Sequence, residues 1–172
     1  MCEMCDIVER KIPSKKIYED SDMLAVLSNE PACIGHTLLI AKKHIPLITQ
    51  VEDPVIAKMF GMSQQLAGML FESFNAEGTN VIIQNGGPAG QMHAHFLINI
   101  LPRFKNDGLS FEWPQKQIPE EKMTQIQQML STQEEQIKPA VKVPEPVVIE
   151  EKQEIIVPKH DNYLYRQLRR IP

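Results

Sequence analysis

The stretch that most constrains this chain is residues 85–103, NGGPAGQMHAHFLINILPR, a Gly/Pro-rich turn running into an apolar strand closed by Pro102. Successive strand side chains point to opposite faces, so residues 92–100 sort into two sets. His93, His95, Leu97 and Asn99 share one face, and Ala94, Phe96, Ile98 and Ile100 share the other. The second face is apolar enough to bury. The first presents two imidazoles and an amide with a leucine between them. The glycines ahead of the strand can take positive φ and turn backbone N–H groups toward an anion.

The flanking sequence supplies the elements such a strand must pair with. Residues 17–27, IYEDSDMLAVL, read as a hairpin with a polar turn at 19–22. Residues 33–40 read as a further strand, with Cys33 a small buried residue and His36 a structural, hydrogen-bonding histidine. Residues 53–74 read as the main helix, with Asp53 as N-cap and Pro54 at the first helical position. Its apolar stripe, including Val55, Met59, Phe60, Leu66, Met69 and Leu70, is broad enough for a sheet and part of a subunit contact. Residues 79–84 form the next strand. A second helix is expected over 119–137, with Pro119 at its start and Glu120 and Glu121 in its first turn. The chain thus divides into a domain over 1–138, a Pro/Val/Glu-rich extended linker over 139–158, and a short basic amphipathic C-terminal helix over 159–172.

Composition narrows the function. With 172 residues, 42% hydrophobic and 23% charged, the chain can bury a core, and a net charge of −4 gives no general affinity for nucleic acid. No apolar run approaches a membrane span. Three cysteines, two of them in CEMC at residues 2–5, do not make a secreted disulfide framework, so a cytoplasmic location is expected. A bare CxxC leaves a redox pair, half a zinc site, or two idle thiols open. No strand has room to precede it, which disfavours the redox reading.

Gln91, the histidine-bearing strand and Pro102–Arg103 together resemble the signature of the histidine triad (HIT) family, Q-x-x-x-H-x-H-x-H-x-x-P-R. The match needs no gap and puts the three family histidines on His95, Leu97 and Asn99. A register with His93 and His95 as the first two histidines displaces both anchors by two residues. The resemblance implies an α+β, HIT-like fold: an antiparallel sheet of about five strands packed with helices, here with a C-terminal extension. It also implies a homodimer. In active members the second histidine attacks the α-phosphorus of a nucleotide; here that position is Leu97, and leucine has no lone pair.

The same resemblance assigns a metal set. Many members begin C-x-x-C-x-I, as CEMCDI does, and their other zinc ligands fall on His44 and His95. Cys2, Cys5, His44 and His95 would form a closed Cys2His2 zinc site. Nucleotide contacts would fall on Ser28, which replaces a ribose-binding Asp, and on Asn85, Gln91 and Asn99. Asn85 serves equally well as a turn residue. The expected function is a zinc-stabilised, catalytically inactive HIT-like domain binding a nucleotide-like ligand or a protein partner. One alternative is a nucleotide hydrolase or nucleotidyl transferase using His93; another is a structural dimeric adaptor.

Overall fold

The computed structural model describes residues 2–132. The linker and basic helix expected over 139–158 and 159–172, and the end of the helix expected over 119–137, lie outside them.

Five strands form one antiparallel sheet: β1 (Lys15–Glu19), β2 (Met23–Leu27), β3 (Thr37–Ala41), β4 (Gly78–Ile82) and β5 (Leu97–Arg103). Their order across the sheet is β1-β2-β3-β5-β4. β3, TLLIA, is buried at every position because both faces of the sheet are covered there. The β1–β2 turn closes through Asp20, whose Oδ1 accepts the N–H groups of Asp22 and Met23 at 2.8 and 3.0 Å.

Side-chain alternation builds two cores. Ala25, Leu39, Phe96, Ile98 and Ile100 face the long helix α2 (Asp53–Phe74), which buries Met59, Leu66 and Leu70 against them. Leu24, Val26, Leu38 and Ile40 face the opposite way, onto Met4 and Ile7 of the short helix α1 (Glu3–Val8), with Leu97 at the border. The N-terminal CxxC thus opens a helix packed on the sheet, with Cys2 flanking it and Cys5 inside it. No helix among the described residues is long and apolar enough to cross a membrane.

Three local expectations need correction. Glu52, with extended backbone, is the residue flanking α2, and Asp53 is its first helical residue with no side-chain cap bond. The helix α3 is Glu120–Ser131, with Pro119 as the flanking residue. The strand expected to begin at Met92 begins at Leu97. Before it the chain bends sharply, with His95 N–H donating to the His93 carbonyl at 2.7 Å. Phe96 then returns to the sheet, its N–H on the Ile45 carbonyl and its own carbonyl accepting from Ala41 N–H.

Candidate metal centre and cleft

His95 is 1% exposed at the foot of β5. Its Nε2 lies 2.7 Å from the Ala41 carbonyl oxygen, which can only accept, so Nε2 carries the proton and Nδ1 the lone pair. Burial pushes the ring below its ordinary pKa, against the opposing bond to Ala41. The free Nδ1 faces Cys2 Sγ and Cys5 Sγ, each at 3.5 Å, and His44 Nδ1 at 3.3 Å. Cys5 Sγ stands 3.2 Å from His44 Nδ1. The four donor atoms all lie within 4.8 Å of one another.

These separations match the edges of a small coordination tetrahedron. With metal bonds of about 2.3 Å to sulfur and 2.0 Å to nitrogen, tetrahedral edges are about 3.3 Å between nitrogens and 3.5 Å between sulfur and nitrogen. The donor set fits a closed site. Two thiolates would balance a divalent cation, and the bond to Ala41 is the outer-shell support that fixes a ligand imidazole. Elements far apart in sequence supply the ligands: α1 gives Cys5 and the extended residue ahead of it is Cys2, the turn after β3 gives His44, and the bend before β5 gives His95. All four residues expected at the metal site can together hold an ion.

A cleft of about 110 Å³ opens beside this centre, lined by Leu97 and Asn99 of β5, His36 and Leu38 from the β3 side, and Ser28. Gly35 precedes His36 at φ +85, a value that favours glycine, and any Cβ there would stand 3.0 Å from Phe74 Cε2 and Pro102 Cγ. His36 is held at both nitrogens. Ala32 N–H donates to Nδ1 at 3.1 Å, so Nε2 carries the proton and donates to Asn99 Oδ1 at 3.1 Å. That donation also orients the amide, leaving Asn99 Nδ2 as its remaining donor. Burial lowers the His36 pKa, with the Asn99 bond opposing it, which favours the neutral ring.

The expected nucleotide contacts separate. Ser28, Gln91 and Asn99 line the cleft, and Asn85 does not. Asn85 Oδ1 instead accepts Ile48 N–H at 3.1 Å, tying two loops together. Gln91 braces its own loop: Oε1 accepts Gly86 N–H at 2.6 Å, and Nε2 donates to the Pro46 and His93 carbonyls at 2.8 and 2.9 Å. His93 lines the cleft with Nδ1 3.6 Å from the Glu3 carboxylate. Glu30 and Gln84 also line it. Neither stood out in the sequence, because each comes from a loop or strand end with no local signal. Cys33 is half-buried, its thiol donating to the Pro102 carbonyl at 3.4 Å.

Arg103 has a structural task. It makes a two-pronged ion pair with Asp107, a hydrogen bond to Asn80 Oδ1, and a stacking contact 5.1 Å from the centre of the Phe111 ring. The Pro-Arg pair thereby pins the segment after β5.

Residues 9–106 match the HIT domain as a sequence family. The chain belongs to the HIT family. The five-stranded antiparallel sheet with its helices is the HIT-like fold. Protein hit of Bacillus subtilis (strain 168) is 35% identical over 113 residues, covering 65% of this chain and 78% of that protein. Adenylylsulfatase HINT3 of Arabidopsis thaliana is 32% identical over 108 residues, 63% of this chain and 55% of that protein. A zinc-bound histidine triad family protein from Mycobacterium smegmatis shares the fold with a TM-score of 0.60 and 31% identity, over 79% of this chain and 97% of that one. The family match in this HIT domain starts after α1, so it includes His44 and His95 but neither Cys2 nor Cys5.

Proposed function

We propose that this chain is a zinc-stapled HIT domain that binds a nucleotide-like ligand in the cleft beside β5 without turning it over. One observation carries the reading: the cleft residue between His95 and Asn99 is Leu97, set opposite Ile40 of β3 and packed against the second core. No imidazole lone pair can occupy that position. His95 is engaged through Nε2, and its Nδ1 faces the metal cluster. His36 is engaged at both nitrogens. Covalent nucleotidyl transfer needs an unprotonated nitrogen aimed at phosphorus. His93, the remaining histidine of the cleft, lies outside β5 on the bend that precedes it.

Zinc is the metal that the donor set favours, since mixed thiolate and imidazole ligation in a closed tetrahedron is its usual structural site. The zinc-bound relative from Mycobacterium smegmatis supports that choice. When bound, the ion anchors α1 to the sheet. The chain's own residues then shape the cleft, with His36 and Asn99 fixing its polar wall and Leu97 its apolar floor. The adenylylsulfatase named among the relatives has its own activity, and Leu97 argues against extending it to this chain.

The test is turnover of adenosine phosphoramidate and of a dinucleoside polyphosphate by the unmodified protein. Loss of a covalent nucleophile lowers rates by about 10⁴-fold or more, so no turnover above the His93→Ala background is expected. A rate near that of an active HIT enzyme, abolished by His93→Ala, would overturn the reading in favour of an enzyme using His93.

A further inference from the structure

The four candidate ligands divide into an inner and an outer edge. Cys2 packs against the second core, and its Sγ faces the buried His95. Cys5 Sγ stands beside His44, which is exposed. The two sulfurs lie within 4.8 Å of each other. One belongs to the residue flanking α1 and the other to the first turn of that helix. Helical geometry over that spacing puts the two Cα atoms about 5 Å apart, inside the range that a disulfide spans. The sulfurs can therefore bond to each other without moving any other element.

The histidines are held independently of α1. His95 is bonded to the Ala41 carbonyl, and His44 follows β3. A bond between the sulfurs would leave two imidazoles and no thiolate for a divalent ion. It would also remove the ligands that tie α1 to the sheet. That helix has only six residues and no side-chain cap bond, and a helix so short does not hold itself. Cys33 supplies an internal comparison: it is half-buried, its thiol donates to the Pro102 carbonyl, and it lies outside the cluster.

We propose that Cys2 and Cys5 are a peroxide-sensitive pair whose oxidation to a disulfide releases the metal and frees α1 from the sheet. The proposal rests on the reading of the cluster as a zinc site and adds the chemistry that controls it. The pair acts as metal ligands and not as an oxidoreductase motif. Cys5 is the thiolate on the exposed edge. Its sulfur attacks one oxygen of hydrogen peroxide; an S–O bond forms, the O–O bond breaks, and the departing hydroxide takes up a proton to become water. The Cys2 thiolate then attacks the sulfenic sulfur of Cys5. The S–S bond forms, the S–O bond breaks, and a second hydroxide leaves and is protonated. Together the sulfurs lose two electrons, and the peroxide gains them. The thiolate is the metal-binding form of cysteine, so neither sulfur of the disulfide holds the ion.

The test starts from the full chain loaded with zinc under reducing conditions. After the reductant is removed, hydrogen peroxide is added in excess and a colorimetric chelator reports the free metal. Zinc should be released, and peptide mapping should find a disulfide between Cys2 and Cys5. The Asp6 and Glu9 N–H groups donate to the Cys2 and Cys5 carbonyls at 3.1 and 2.8 Å. Their hydrogen exchange should quicken by about tenfold or more while that of β3 stays slow. Dithiothreitol with added zinc should reverse all three changes, and Cys33→Ser should respond as the unmodified chain does. Zinc retained under peroxide, release without the Cys2–Cys5 disulfide, a disulfide that leaves α1 exchange unchanged, or a response lost in Cys33→Ser overturns the proposal and leaves the zinc site standing. A reduced chain that takes up no zinc overturns the proposal and the metal reading together.

Discussion

His95 and Ala41 are joined by a 2.7 Å hydrogen bond from the ring Nε2 to the carbonyl oxygen, and that bond aims Nδ1 at Cys2, Cys5 and His44. One backbone carbonyl of β3 thus sets the tautomer of a side chain 54 residues away. One ring nitrogen of His95 thus supports the sheet, and the other faces the remaining three residues that could hold a metal ion.

The metal should be measurable and should matter for stability. Elemental analysis of the purified chain should give one zinc per molecule, and Cys5→Ser should abolish it. Loss of the ion frees α1, whose Met4 and Ile7 are each 2% exposed. Uncovering that core should lower Tm by about 10 °C, since about 1 kcal/mol corresponds to 2–4 °C in a chain of this size. A fully folded protein that holds no zinc would contradict the assignment.

Gly35→Ala should be destabilising out of proportion to one methyl group. The backbone is at φ +85, and the new Cβ would meet Phe74 and Pro102 at 3.0 Å. Strain of this kind costs about 1–3 kcal/mol. Urea denaturation should show a lower midpoint with unchanged slope. His36 follows directly in the chain, so its ring resonances should shift as well.

Acid should weaken the first hairpin. Hydrogen bonds from Lys16 and Lys42 hold Glu19 at about 2. Burial would raise Asp20, but the Asp22 N–H, Lys58, the Met23 N–H and the Tyr18 hydroxyl outweigh it and hold Asp20 at about 2. Both folded values lie below the ordinary carboxylate range. Their stabilisation is therefore complete above about pH 5 and lost as pH falls toward 2. The Tm difference between the unmodified chain and Glu19→Gln/Asp20→Asn should be present at pH 6 and should disappear near pH 2. A comparison of variants at each pH cancels the loss of metal that acid also causes.

Association is the fourth expectation. Phe60 and Met69 remain 47% and 41% exposed on opposite flanks of the buried stripe of α2. A homodimer using one of these flanks should appear in light scattering at micromolar concentration. Phe60→Glu and Met69→Glu distinguish the flanks: the one in the interface should give a monomer. A monomer in the unmodified protein would contradict dimerisation.

Much of the architecture was legible in the chain because it depends on local order. Alternation along LINILPR sorts Ile98 and Ile100 from Leu97 and Asn99 whatever else the chain does, and a 3.6-residue period buries Met59, Leu66 and Leu70 on one side of α2. The metal quartet was legible from residue type and family spacing, since CxxC and two histidines carry their chemistry with them. What the tertiary structure decided is where each hydrogen bond goes. The start of β5 depends on His95 donating to His93 and on Phe96 pairing with Ala41 and Ile45. The role of Asn85 depends on an N–H 37 residues away. The glycine turn has the composition of an anion site, but Gln91 Oε1 takes the Gly86 N–H and the turn's own carbonyls take those of Ala89, Gly90 and Gln91. Glu30 enters the cleft only because the loop after β2 folds beside β5. Side-chain alternation is a property of a few consecutive residues, whereas hydrogen-bond partners are chosen by whichever groups the completed fold brings within about 3 Å.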